Sequence, residues 1–403
     1  MTAPTTSYHL RPVHGWLNDP NGMTRVDGAW HVFFQHNPAA PAHAAIAWGH
    51  ASSDDLAHWR LHPVAFSPTP GGPDAFGCWS GVYVPGHDRP AVVYSGVADA
   101  SGQSTVCLRW GSPDLNQWGP PVVVGATPWD DGVAIMRDPF VFEHGGRRLA
   151  VLGAGLSDGS PAVLLFDRSD ELAWRYLGVL VAGNAVLSDA GAADVWECPQ
   201  LFPLQEKWVL VLSLHDRGVL GQVIAAVGDL VPDGEGLRFV AESVHSLDDG
   251  TDFYAPQVTL ADGEPLLMGW VREADQDPAV RDHAGCLTLP RRLGLADGVV
   301  VSRVDPVAAE ALTGDVKHVR AGETLLADRR WLVKVVGDGV RLTHPDLGEV
   351  PVAPGDELWV DGAVLELYRP DGIPATWRHD EPWTLTVEDE GAVEIRQVVA
   401  SVP

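Results

Sequence analysis

Cysteine is scarce in this sequence: Cys78, Cys107, Cys198 and Cys286 lie far apart and form no CxxC pair or zinc-like spacing. That argues against a disulfide-stapled scaffold and a thiolate metal site, and makes the four buried thiols that pack as small hydrophobes. Basic residues are also few, 27 Lys and Arg against 54 Asp and Glu, for a net charge of -27. Such a chain repels phosphate backbones and anionic lipid, so neither nucleic acid nor a membrane surface is an expected partner. A strongly anionic substrate would need a local basic pocket. No apolar run reaches the roughly 18 residues of a membrane span. Met1-Thr2-Ala3-Pro4-Thr5-Thr6 has neither a basic n-region nor an apolar core, so no secretory signal is expected and the expected location is cytoplasmic. Helical periodicity is nearly absent.

What is present is length, tryptophan and a repeat. A chain of 403 residues exceeds one ordinary core, so two domains are expected, and 16 Trp leave aromatic faces to spare for stacking on ligands such as sugars. Ser53-Asp54-Asp55-Leu56-Ala57-His58-Trp59 recurs as Ser112-Pro113-Asp114-Leu115-Asn116-Gln117-Trp118, then shortened as Ser169-Asp170-Glu171-Leu172-Ala173-Trp174, and faintly as Gly228-Asp229-Leu230. The period is about 58 residues, long enough for one four-stranded sheet with loops, and each copy reads as a turn between outer strands. Between copies lie β-branched and aromatic runs bounded by Gly, Pro, Asp and Asn: 31–35, 91–96, 162–166, 208–213 and 265–270. About five periods reach residue 297, and radially repeated four-stranded sheets make a β-propeller. From Asp305 to Pro403 the repeat is gone, and strands alternate with Asp-Gly turns, as in a small β-sandwich of roughly 100 residues. The expected fold is therefore all-β: a five-bladed β-propeller over 1–297 and a short β-sandwich over 305–403 that packs rigidly against it.

Function turns on phase. About 31 to 34 residues before each marker comes a distinctive cluster: Asn18-Asp19-Pro20, Cys78-Trp79-Ser80-Gly81, Arg137-Asp138-Pro139, Trp196-Glu197-Cys198-Pro199 and Asp252-Phe253-Tyr254-Ala255-Pro256. Any one of them is a plain turn by composition. Five in phase, at the start of every blade, would face one another across a central funnel, with Asp19, Asp138 and Glu197 converging there.

Paired carboxylates in an aromatic-lined pocket suit glycosidic bond cleavage, in which one acid protonates the leaving oxygen and its partner stays ionised. Asn18 and Asn21 beside Asp19 are amide donors that would favour its charge. Glu197, between Trp196 and Cys198, has a drier setting that would raise its pKa and suit a general acid. Asp138 lies next to Arg137, whose charge should keep it ionised and fit it to bind sugar hydroxyls. Cys198 beside the proposed acid has no base placed for it, and is expected to be a buried neighbour. The histidines at 31, 36, 43, 50, 58 and 62 contain no HExxH or comparable zinc pair, and no metal is expected.

Together, Trp16-Leu17-Asn18-Asp19-Pro20-Asn21-Gly22, Phe33-Phe34-Gln35 and the four later clusters resemble the signatures of glycoside hydrolase family 32, the invertases, levanases and inulinases. The resemblance holds in order over about residues 8 to 295, and Ala284 to Arg291 looks like the family's closing propeller strand. It implies a retaining β-fructofuranosidase without a cofactor, acting on sucrose or short fructans. It further implies Asp19 as nucleophile, Glu197 as acid/base and Asp138 as transition-state stabiliser. Asn18, Gln35, Trp48, Trp79, Ser80, Arg137, Tyr254 and Trp270 fall where the family binds its sugar. Three departures stand out. His43-Ala44-Ala45 replaces the usual Trp-Gly-Asn, Trp79 stands where Phe is common, and the sandwich is short. A fructosyltransferase on the same scaffold, and a sugar-binding propeller without catalysis, are the alternative functions.

Overall fold

In the computed structural model of the chain, the described residues are 7–182, 187, 190–319, 322–326, 330–388 and 392–398. Met1 to Thr6, which carry the reading of no secretory signal, lie outside them. Five sheets follow one another along the chain. Their first strands are Gly15–Val26, Gly77–Tyr83, Val133–His144, Val195–Leu204 and Phe253–Thr259. Each packs beside the first strand of the next sheet, and the fifth packs beside the first, which closes a ring. The sheets are thus blades I to V of a propeller, each working outward through antiparallel neighbours. Closure is stitched by His283–Ala284, paired in parallel with Gly15 and Trp16 of blade I, while Cys286–Leu287 pairs with blade V. Gly285 between them is required. Its φ is +80°, and a Cβ there would sit 1.9 Å from the Leu17 carbonyl oxygen. A closed ring leaves few unpaired strand edges.

The apolar runs read from the sequence fall in strands Ala29–Asn37, Ala91–Val97, Pro161–Asp167, Lys207–Asp216 and Leu266–Val271. The first three markers are turns between third and fourth strands. In the first, Asp55 Oδ1 accepts from Ala57 N at 3.0 Å and His58 N at 2.8 Å, and Leu56 adopts φ +62° to bury its side chain. Leu115 does the same at +59°. The faint fourth copy is different: Gly228-Asp229-Leu230 lies inside strand Val219–Asp233, and blade IV turns later, at Asp233–Gly236. Gly228 is there because a Cβ would lie 2.1 Å from the Val240 carbonyl oxygen at a bulge, a strand role for a residue that also favours turns.

Every first strand carries a register shift at its cluster: between Leu17 and Pro20, Cys78 and Gly81, Arg137 and Phe140, Glu197 and Gln200, and Tyr254 and Gln257. A bulge bends the strand and re-aims its side chains. In three of them the residue before proline is left-handed: Asp138 at φ +59°, Cys198 at +48° and Ala255 at +43°. Each costs about 1–3 kcal/mol of backbone strain, held by the surrounding blades.

Val299–Val304 is the outer strand of blade V. Asp305 then caps helix Pro306–Leu312, accepting from Val307 N at 2.9 Å and Ala308 N at 3.2 Å, with Pro at the first helical position. Beyond it a six-stranded and a four-stranded sheet enclose Val333, Leu342, Leu358, Leu365, Trp383 and Leu385 as a β-sandwich. Asp361-Gly362 turns a hairpin within the larger sheet. Gly337-Asp338-Gly339 instead carries the chain from one sheet to the other, because strands Arg330–Val335 and Val340–His344 pair with different partners. The sandwich meets the propeller through buried polar groups. Arg291 reaches Asp248 at 2.8 Å and also binds Glu366, while His9 lies between Asp361 at 2.9 Å and Glu366 at 2.8 Å.

Candidate active site

The bulges aim their clusters into a hollow of about 320 Å3 at one end of the propeller axis. Asp19 of blade I, Asp138 of blade III and Glu197 of blade IV line it together with Asn18, Gln35, Trp79, Arg137, Tyr254 and Trp270. Asp19 is held on both oxygens: Asn18 Nδ2 donates to Oδ1 at 2.9 Å, Gln35 Nε2 donates to Oδ2 at 2.9 Å, and the Ser80 hydroxyl also donates to Oδ2. Burial raises its pKa, and the Ser80 and Asn18 hydrogen bonds oppose that rise without cancelling it. Ser80 is not part of the wall; it lies beneath Asp19 and positions it.

Glu197 accepts from Arg137 Nη1 at 3.0 Å on Oε1, and the Tyr254 hydroxyl lies 2.8 Å from Oε2. The Arg137 guanidinium also stands over the Trp79 ring, 5.5 Å from its centroid. Asp138 Oδ2 accepts the Cys198 backbone N–H at 3.0 Å. Burial, then the nearby Glu197, pushes its pKa up to about 7, against the pull of Arg137.

Four expectations need correction. Arg137 spends its guanidinium on Glu197 rather than on its sequence neighbour, so Asp138 keeps its proton near neutrality instead of standing ionised. Asn21 does not serve Asp19: its Oδ1 accepts from Gly81 N at 3.1 Å, tying blade I to blade II. Neither neighbour of Glu197 dries it as expected. Trp196 is fully buried in the core of blades II to IV, and the Cys198 thiol sits 3.7 Å from Asp19 and 3.6 Å from Asp138. Trp48 is 0% exposed, packs with Phe33, Phe66 and Tyr94, and does not line the hollow. Strand alternation turns Trp196 away from Glu197, whereas at the bulges alternation is broken, so that Arg137 and Asp138 both face the hollow and meet different partners.

Sequence reasoning missed Trp16, His215, Leu220, Ala274 and Asp275 in the wall, and took His43 as a lost aromatic. The His43 ring in fact stands between Trp16 and Trp79, 6.2 Å from each centroid. The His43 backbone N–H donates to Asp275 Oδ1 at 3.0 Å, and Gln276 N donates to Pro41 O at 2.9 Å. The segment after strand Leu266–Val271 is thereby fastened over blade I. Its signal was the long gap between Val271 and the next full strand, Arg291–Ala296. Three of the histidines in the 31–62 region pack together: His31 Nδ1 lies 3.0 Å from His50 Nε2, and His50 stacks on His62 with centroids 4.3 Å apart.

Residues 9–303 match the glycosyl hydrolases family 32 N-terminal domain. The chain belongs to glycoside hydrolase family 32. The family match spans the five blades and stops at the outer strand of blade V. Sucrose-6-phosphate hydrolase of Klebsiella pneumoniae is 37% identical over 284 residues, 67% of this chain and 59% of that protein. Raffinose invertase of Escherichia coli is 33% identical over 311 residues, 73% of this chain and 63% of its own length. The chain thus covers less than two thirds of the curated relatives it matches. Among solved structures, the Bombyx mori GH32 beta-fructofuranosidase superposes with a TM-score of 0.82 at 26% identity, covering 99% of this chain and 94% of that one. Fructan 1-exohydrolase IIa from Cichorium intybus shares the fold, with a TM-score of 0.79 at 20% identity and 98% of both chains covered.

Proposed function

We propose that this chain is a retaining β-fructofuranosidase that releases terminal β-D-fructofuranosyl residues from sucrose or short fructans. The observation that carries this reading is the convergence of Asp19, Asp138 and Glu197 in one hollow of sugar size, walled by Trp16, Trp79 and Trp270. Asp19, held by three donors, attacks the anomeric carbon and forms a fructosyl ester as the glycosidic C–O bond breaks. Glu197 gives its proton to the departing oxygen. It then takes a proton from water, whose oxygen attacks the anomeric carbon and frees Asp19. Asp138, protonated below about 7, can donate to one sugar hydroxyl and accept from another. Arg137 and Tyr254 orient Glu197. The four cysteines are free thiols, which supports action in a reducing compartment, the cytoplasm.

The test is product analysis with sucrose, sucrose 6-phosphate, raffinose, inulin and levan. Free fructose is expected from sucrose. Lengthened oligosaccharides at high sucrose would replace hydrolysis by fructosyl transfer, and binding without product would leave a sugar-binding propeller.

A further inference from the structure

The propeller axis has a second mouth. At the end opposite the catalytic hollow lies a larger one of about 460 Å3, to which all five blades contribute, among them Met23, Tyr83, Phe142, Trp208 and Leu260. The two are separated by a neck of about 10 Å3 lined by Ser80, Asp138, Cys198, Gln200 and Gln257. Amide side chains seal this neck. Gln257 accepts from Met23 N at 2.6 Å and donates to Gly81 O at 2.8 Å, and Gln200 accepts from Val258 N at 2.9 Å. A sugar cannot pass such a constriction, so the second hollow is a separate compartment.

Arg168 lines it and is 3% exposed. Among the described residues two other arginines are buried, and both are matched by carboxylates: Arg109 by Asp74 at 2.8 Å and Arg291 by Asp248 at 2.8 Å. Arg168 has no such partner. Among the described residues its guanidinium makes neither hydrogen bond nor ion pair, and its Nε is buried without an acceptor. Glu143 and Glu171 act on it only from a distance, Arg148 opposes them, and burial with that repulsion draws its pKa down. A buried charge normally persists only when paired. The planar guanidinium fork matches a carboxylate or a phosphate ester, and the aromatic walls of Tyr83, Phe140, Phe142 and Trp208 offer stacking faces. Arg25 and Glu143 on the lining offset one another, and a net charge of -27 for the chain favours a single negative charge over a double one.

We propose that the far mouth of the propeller is a binding site for a small sugar acid, a carboxylate on a monosaccharide-sized body, with Arg168 as its anchor. The proposal does not depend on what the catalytic hollow hydrolyses.

Calorimetric titration of the full chain with glucuronate, glucose, glucose 6-phosphate and inorganic phosphate tests it. Glucuronate is expected to bind, with glucose at least about tenfold weaker. Arg168→Gln is expected to weaken glucuronate by about tenfold or more, the scale of one charge-assisted hydrogen bond. Ala261→Trp, an exposed position on the rim, should block the mouth to a similar degree, and it decides the matter should Arg168→Gln fail to fold. Absence of glucuronate binding at about 10 mM would overturn the proposal. So would equal affinity in wild type and Ala261→Trp, equal affinity in wild type and a folded Arg168→Gln, or equal binding of glucose. Tighter binding of glucose 6-phosphate or phosphate than of glucuronate would overturn the assignment to a carboxylate.

Discussion

Arg137 Nη1 lies 3.0 Å from Glu197 Oε1, so a cation on blade III is paired with an acid on blade IV and acts on its chain neighbour Asp138 only through space. Asp138, buried and close to Glu197, therefore holds its proton up to about 7. Arg137→Gln removes a nearby positive charge that draws Asp138 down, and should move the alkaline limb of kcat/KM to higher pH as well as lowering the rate. An unmoved limb would separate Asp138 from that titration. The sign for stability runs opposite to that of an ion-paired carboxylate. The folded state binds the extra proton, so Asp138 costs stability as pH rises from its ordinary value of 3.8 towards about 7, and Asp138→Asn should flatten that loss in melting experiments.

Asp19→Ala and Glu197→Ala should each lower kcat for sucrose by at least about 10²-fold, the low end for a positioned acid or base. Melting temperatures near wild type would show that chemistry was removed and not the fold. Near-normal turnover in either variant would end its proposed role.

His43 takes the aromatic place between Trp16 and Trp79 and is tied through its backbone to Asp275. His43→Ala should raise KM for sucrose by about fivefold, roughly one aromatic contact, with kcat little changed. A fall in kcat at constant KM would instead place His43 in the chemistry.

All four cysteines are buried and free. Burial raises each thiol: Cys107 to about 11, Cys286 to about 12, and Cys78 and Cys198 well above the ordinary value. A disulfide reagent at pH 8 should find fewer than about one reactive thiol per native chain and four after denaturation. A fast-reacting native thiol would contradict this packing.

Arg291, Glu366 and His9 join propeller to sandwich. Burial alone would raise Glu366, but Arg291 and then His9 overcome it and bring the carboxyl down to about 2. Its stabilisation is present above 4.5 and lost as pH falls towards about 2. Burial alone would lower His9, but hydrogen bonds to Asp361 and Glu366 raise it, so its contribution is present below 6.5 and lost as pH climbs through the raised value. Stability of this junction should therefore peak between about pH 4.5 and 6.5. Arg291→Met should cost about 3 to 5 kcal/mol in denaturant unfolding, the effect of stranding a buried carboxylate. A loss under about 1 kcal/mol would mark the junction as solvated.

Local chemistry made the strands, the marker turns and the five in-phase clusters legible, because β-branched runs, Asp caps and proline act over a few residues. The same cues placed Asp19, Asp138 and Glu197 around one axis, since a regular period fixes where each blade begins. What chain order could not decide was which neighbour each side chain meets. Bulges and strand alternation turn Trp48 and Trp196 into the core, bring Arg137 across to Glu197, and seat His43 where an aromatic ring was expected. Those contacts join residues on different strands and blades, far apart along the chain, or reverse the facing of adjacent ones. Only the closed ring of blades determines them, because hydrogen-bond partners and burial are properties of the packed whole.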